Sequence, residues 1–180
     1  MILNNRTQLF SFYFPSNYFF PAISEKYKVY LNRMHLPFES CEDFVNSCIQ
    51  TVNFPSFSIP NASQKLGQYE IENTTGKELD VIVEKNLTIT FKLTDSYLSY
   101  WIIRDQIEEY LKYGNKKRKI YWNPLYLTFL SSAGYEINTF EFSQVTPISL
   151  SELDLSYKSE ITQYNTFSLG VHYNYQKIVK

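Results

Sequence analysis

From Thr166 to Tyr175 the chain alternates without a break: Phe167, Leu169, Val171, Tyr173 and Tyr175 share one parity, and Thr166, Ser168, Gly170, His172 and Asn174 the other. Successive side chains of a strand point to opposite faces, so this pattern demands a strand with one buried and one polar face. A second segment, Asn86–Thr94, does the same, with Leu87, Ile89, Phe91 and Leu93 opposite Thr88, Thr90, Lys92 and Thr94. Two such strands cannot stand alone, and the rest of the chain must supply partners and an apolar layer over them.

At 180 residues the chain is long enough for one domain with its own core. It holds 16 Tyr and 14 Phe but only 5 Gly, a balance that favours β-structure and contact surface over glycine-rich loops. Seventeen basic against eighteen acidic residues leave a formal net charge of −1, which gives no electrostatic ground for tight binding to nucleic acid or to an anionic membrane. No run approaches the roughly 20 apolar residues of a membrane span. Met1–Arg6 lacks the basic-then-apolar pattern of a secretory signal, so a cytosolic protein is expected. If their segment is helical, Cys41 and Cys48 lie about 10 Å apart along the axis. That is too far for a disulfide, and two reduced thiols in packing roles are expected.

Residues 1–26 form an aromatic N-terminal arm containing Phe10, Phe12, Tyr13, Phe14, Tyr18, Phe19 and Phe20, interrupted by Pro15 and Pro21. Prolines keep such a stretch out of a central strand; it either packs on its own domain or covers a neighbour. Residues 27–180 read as one β domain. Tyr27–Arg33 alternates as a first strand, Leu36–Cys48 is irregular or briefly helical, and a second strand runs from Gln50 towards Ile59 with Pro55 at an edge, bulge or break. A long hairpin at about 60–86 pairs Leu66–Ile71 with Leu79–Val83 through a turn at Asn73–Gly76, and its low apolar content calls for something else to lie on.

Strand 86–94 then enters a helix at about 95–113. Thr94 or Asp95 caps it, Tyr100, Ile103, Ile107, Tyr110 and Leu111 recur at helical spacing, and Gly114 stops it. Leu125–Leu130 and Tyr135–Val145 complete a further hairpin. Within it Ile137 is out of parity with Phe140 and Phe142, so a bulge near Asn138–Thr139 would return all three to the core.

The chemistry of catalysis is missing from this pattern. His35 and His172 are the only histidines, without Cys, Asp or Glu at metal-ligand spacing, and there is no phosphate-binding glycine loop, no Gly-x-Ser-x-Gly and no acid pair whose neighbours suggest a raised pKa. No enzyme, no cofactor and no metal are expected. Glu70, Glu72, Glu78, Asp80 and Glu84 either solvate an exposed ribbon or make a negative surface that faces a lumen or a neighbouring subunit. Lys116, Lys117, Arg118 and Lys119 either complement the negative end of the helix or touch phosphates.

The closing block, Pro147, Leu150, Leu153 and Leu155 followed by Phe167–Tyr175, resembles the C-terminus of the tail tube proteins of contractile-tailed bacteriophages, the myovirus tail tube and type VI secretion inner-tube superfamily. Followed in order, the earlier elements are similar too. The resemblance implies a mainly β fold of two packed antiparallel sheets, β-sandwich or barrel-like, with one flanking α-helix and a long protruding hairpin. It further implies a structural virion protein of the phage tail, assembled in the bacterial host cytoplasm into stacked hexameric rings through which DNA passes.

Its partners would be itself, the tail sheath, baseplate and neck proteins, and transient, non-specific DNA, with no membrane. On this reading Phe12, Phe14, Tyr18, Phe19, Leu66, Tyr69, Ile71, Val81 and Val83 are candidate inter-subunit residues. Thr88, Thr90, Lys92, Ser168, His172 and Asn174 are candidates for the lumen. The longer aromatic arm and the insertion at Leu36–Cys48 depart from the pattern and leave open a tube initiator or terminator, or a secretion-tube subunit. A different reading is a monomeric β-sandwich ligand-binding module, for glycans for instance. It places Trp101 or Trp122 on a concave surface, whereas the tube reading buries Trp101 under the helix.

Overall fold

The computed structural model describes residues 9–54, 61–66, 69–74, 85–114, 121–153 and 165–179. Ten strands are described: β1 (Phe10–Tyr13), β2 (Ile49–Asn53), β3 (Asn61–Leu66), β4 (Tyr69–Thr74), β5 (Asn86–Lys92), β6 (Leu125–Leu130), β7 (Glu136–Ser143), β8 (Thr146–Leu150), β9 (Thr166–His172) and β10 (Tyr175–Ile178). Three α-helices join them: α1 (Pro21–Arg33), α2 (Cys41–Ser47) and α3 (Leu98–Gly114). One antiparallel sheet has the order β1-β6-β7-β10, a second the order β2-β5-β9-β8, and β3 and β4 pair only with each other. The architecture is therefore mainly β, two packed four-stranded sheets, as the resemblance implied; among the described residues there are three α-helices where one was expected.

The alternating strands behave as their parity requires. β5 and β9 pair in register, Leu87 with Val171, Ile89 with Leu169 and Phe91 with Phe167, and all six side chains are buried. Phe91 and Phe167 stack at 5.1 Å between ring centroids, an arrangement that adds to simple area burial. Tyr173 is buried with them, 4.9 Å from Phe142 of the other sheet. The expected continuation to Tyr175 fails: the chain crosses between sheets after Tyr173, Tyr175 begins β10 beside β7, and its side chain is exposed.

The aromatic arm belongs to the fold. β1 is the edge strand of the first sheet, and Phe12, Phe14, Tyr18 and Phe19 are all buried in the one core cluster that both sheets and all three helices share. Phe14 lies 4.7 Å from Tyr18 and 6.2 Å from Phe91. The Phe19 amide donates to the buried Glu42 carboxylate at 3.3 Å and the Phe20 amide to the buried Gln106 side chain at 3.0 Å, which ties the arm to α2 and α3.

Tyr27–Arg33, expected as a strand, is the second half of α1. Pro21 opens that helix at its first turn, where a missing amide costs nothing, and Ile23, Tyr27 and Leu31 recur every four residues on its buried face. Tyr27 and Lys26 both donate to Asp105 on α3. Burial pushes the Asp105 carboxyl up, but the hydrogen bonds from Lys26 and Tyr27 outweigh it and hold the group below its usual range.

Other expectations shift. Leu66 pairs with Tyr69, so the β3–β4 hairpin reverses between those residues and Asn73 and Thr74 lie within β4, not in a turn. The return strand at Leu79–Val83 and Leu155 lie outside the described residues. A bulge does interrupt β6–β7, but it skips Ile137, between the Phe129–Asn138 and Leu130–Glu136 pairs, and leaves that side chain exposed while Phe142 is buried. The helix after β5 starts through a left-handed kink at Ser96 and Tyr97, with Thr94 Oγ1 accepting the Ser99 amide at 3.3 Å. Along it Ile102, Ile103 and Gln106 face the core, and Leu111 is exposed. Cys41 and Cys48 are free and buried; burial, reinforced by Glu42, pushes the Cys41 thiol up to about 11.

The contrast between the arm and the outer helix face is measurable in urea. Phe14→Ala is expected to cost about 3–5 kcal/mol of unfolding free energy, the range for truncating a buried phenylalanine. Leu111→Ala, at a 59% exposed position, should stay within about 0.5 kcal/mol of the parent protein. Equal small losses at both sites would contradict the core described above.

Candidate assembly surfaces

Opposite its buried face, the sheet β2-β5-β9-β8 presents an almost uniformly polar one. Directly paired residues share a face. Thr51, Thr90 and Ser168 therefore make one row, Asn53, Thr88 and Gly170 with Ser149 a second, and Asn86 and His172 with Thr146 a third, while Lys92 lies beside Thr166. Hydroxyls and amides satisfy one another across it: Thr90 Oγ1 lies 3.3 Å from Ser168 Oγ, and His172 Nδ1 lies 3.0 Å from Asn86 Oδ1. Lys92 is the one formally charged side chain in these rows.

Gly170 lies close under β8: a Cβ there would come within 2.4 Å of Ser149 Oγ, so that hydroxyl would have to rotate away. Thus Thr88, Thr90, Lys92, Ser168 and His172 are brought together on one surface. Asn174 lies past β9 at the crossing between sheets, its amide donating to Gln144 at 3.0 Å.

The flanks of the sandwich are open. β1 and β2 are edge strands of the two sheets and lie side by side, flanking a groove of about 670 Å³ lined by Phe10, Ser11, Phe12, Asn46 and residues 49–52. Leu9 O accepts from the Leu130 amide of β6 at 2.9 Å. Alternate residues of an antiparallel strand bond to opposite sides, so Ser11 and Tyr13 also turn their main-chain groups to β6, while Phe10, Phe12 and Phe14 turn theirs to the groove.

Asn46 closes the last of these rungs as a neighbouring strand would. Its Oδ1 accepts from Phe14 N at 2.8 Å and its Nδ2 donates to Phe14 O at 3.0 Å. The rungs at Phe10 and Phe12 have no such partner among the described residues.

The far flank carries β10 and β8, the other two edges. Val179 N donates to Thr139 O of β7 at 2.8 Å, so by the same alternation the amides of Gln176 and Ile178 face outward. All four residues of β10 are exposed, Ile178 to 64%. The β8 edge is broken by Pro147 and by a register shift that pushes Ile148 out to solvent. Both are devices that discourage strand addition.

Of the residues expected between subunits, Phe12, Phe14, Tyr18 and Phe19 have their side chains buried in the core of the subunit itself. Leu66, Tyr69 and Ile71 lie on the self-paired β3–β4 ribbon, of which the main chain alone is described; Val81 and Val83 lie outside the described residues. Sequence reasoning missed Asn46, Gln176 and Ile178. Their signal is faint, since an edge amide is marked by register and not by residue type.

Trp101 is corrected. It is 38% exposed on the outer face of α3 with the Arg104 guanidinium 5.0 Å above its ring, because Ile102 and Ile103 take the core-facing positions. Trp122 is buried and neither tryptophan lines the groove between β1 and β2. Among the described residues no cluster of His, Cys, Asp and Glu is arranged to hold a metal, and no helix is long and apolar enough to cross a membrane.

No protein-family model and no curated protein sequence matches the chain. Solved structures do. A chain of the anti-feeding prophage baseplate, determined as a six-fold symmetrised assembly, superposes with a TM-score of 0.50 and 14% identity, over 73% of this chain and 80% of that one. A chain of the tube/sheath terminator of an extracellular contractile injection system, the PVC particle, gives 0.45 and 10%, over 73% and 85%. One from the anti-feeding prophage tube-terminating cap gives 0.44 and 9%, over 72% and 78%. At these identities the first likeness is one of fold, and the two weaker ones add nothing to it.

The Asn46 clasp is testable on its own. Asn46→Ala strips both partners from a Phe14 main chain that is partly buried, and is expected to cost about 1–3 kcal/mol in denaturant unfolding. Asn46→Asp keeps the shape but sets a carboxylate against Phe14 O, so it should not restore the loss. A neutral Asn46→Ala would contradict the strand-like role of this side chain.

Proposed function

We propose that this chain is a structural, non-catalytic subunit of a contractile tail or injection particle, and that copies close head to tail into a ring whose lumen is lined by the polar face of the sheet β2-β5-β9-β8. One observation carries the reading: each sheet has four antiparallel strands. An even number makes the two edges of a sheet run in opposite directions, β1 against β10 and β2 against β8. A second copy set beside the first in the same orientation therefore offers an antiparallel partner at both seams, and with an odd count it would not. Repeated by rotation, a head-to-tail contact of this kind closes a ring and leaves few free sheet edges.

The polar face suits a conduit. Its side chains are mostly hydroxyls and amides and it has little charge, so a polyanion can pass without the counterion release that holds nucleic acid to basic surfaces. On this reading the particle's own sheath, tube and baseplate proteins are the partners outside the ring, and DNA is a passing cargo. The fold match to a baseplate chain favours a subunit at a tube end, an initiator or terminator, over the repeated tube subunit. The broken β8 edge agrees with that choice, since it shortens the inner seam.

Sedimentation velocity combined with negative-stain imaging over rising protein concentration tests the proposal. Rings of one diameter, with six-fold averages, are expected. A monomer that persists to the limit of solubility would contradict it.

A further inference from the structure

The groove between β1 and β2 is walled on both sides by edge strands, and the Phe10 and Phe12 rungs of one wall lack main-chain partners among the described residues. Asn46 already occupies the position of a missing strand at Phe14. We infer that this groove is a receptor slot for an extended segment, and that its occupant is the C-terminal strand β10 of a second copy. The inference rests on the ring reading for the identity of the partner, but the slot itself does not.

Several observations single out β10. It is the outer strand of the same sheet and antiparallel in direction to β1, so its addition continues the β1-β6-β7-β10 sheet from copy to copy. Its outward amides, at Gln176 and Ile178, match the spacing of the open Phe10 and Phe12 rungs, two residues apart on each strand. The charges also fit. None of the described residues lining the slot is charged, and the one charged residue of β10, Lys177, is turned to the opposite face, where it pairs with Glu141 at 3.0 Å. Ile178, on the other face from Lys177 and 64% exposed, is then the apolar group that the slot's Phe10, Ile49 and Val52 cover.

The alternative edge, β8, is interrupted by Pro147 and the bulged Ile148, whereas β10 shows no break in its register. Strand addition of this kind draws affinity from main-chain bonds and specificity from alternate side chains.

A fluorescein-labelled peptide of residues 173–180, titrated by anisotropy against dilute full-length protein, tests the slot without requiring a ring. Saturable binding is expected. It should weaken about ten-fold or more when the peptide carries Ile178→Pro, which removes one outward amide, the order of loss expected for one or two main-chain bonds. It should weaken similarly when the protein carries Gln50→Trp, a filled slot at an exposed position whose folding is checked by an unchanged melting curve.

No saturable binding, or binding indifferent to both changes, overturns the inference even if rings form. Tighter, Gln50→Trp-sensitive binding of a peptide of residues 61–74 overturns the assignment to β10 in favour of the β3–β4 hairpin. Absence of rings in the sedimentation experiment bears on the ring reading and leaves this binding result to stand or fall alone.

Discussion

The main-chain pairing of two four-stranded sheets, each of which ends in edge strands among the described residues, sets the frame for everything else in the subunit. Both sheets are complete across their faces, where Leu87, Ile89, Phe91, Phe167, Leu169 and Val171 meet the helices and the aromatic arm. Both are unfinished at their margins. An unpaired edge is a standing invitation to another strand, and soluble proteins ordinarily blunt it with charge, proline or a bulge. Here β8 carries a proline and a bulge, while β1 has one rung closed by Asn46 and two without a partner among the described residues, and β10 is exposed throughout. On the proposed reading, this asymmetry between guarded and unguarded edges is what suits the sandwich to assembly.

The core makes those margins rigid enough to matter. β1 is only four residues long and would fray alone, but Phe12 and the following Phe14, Tyr18 and Phe19 pack into the shared cluster, and Phe19 and Phe20 are held by Glu42 and Gln106. The arm is thus not a free tail seeking a neighbour. It is the anchor that presents an edge at a fixed place, which lowers the entropy lost when a partner strand adds. On the far side the crossing at Tyr173 and Asn174 does the same for β10, with Tyr173 buried against Phe142 and Asn174 bonded to Gln144.

Much of this was legible before any coordinates. The parity of β5 and β9 survives because each has one fully buried face, and Thr88, Thr90, Lys92, Ser168 and His172 follow onto the polar face from parity alone. Tyr27–Arg33 was misread because YKVYLNR satisfies both periods. The tie is broken by Pro21 at the helix start and by the spacing Ile23, Tyr27, Leu31, which lies partly upstream of the window. Tyr175 keeps the parity of β9 although it belongs to another sheet, since alternation carries no information about which sheet a strand joins. The edge rungs, Asn46 among them, depend on register between distant segments, which no local pattern encodes.

Residue-resolved hydrogen–deuterium exchange as a function of protein concentration addresses most directly whether the margins are completed by copies of the chain. The account predicts that the amides of Phe10, Phe12, Gln176 and Ile178 exchange fast in dilute solution and become protected together as concentration rises, while the Leu87–Phe91 amides are slow throughout. Edge amides that exchange at one rate at every concentration, or that are already as protected as β5 in the dilute monomer, would contradict it.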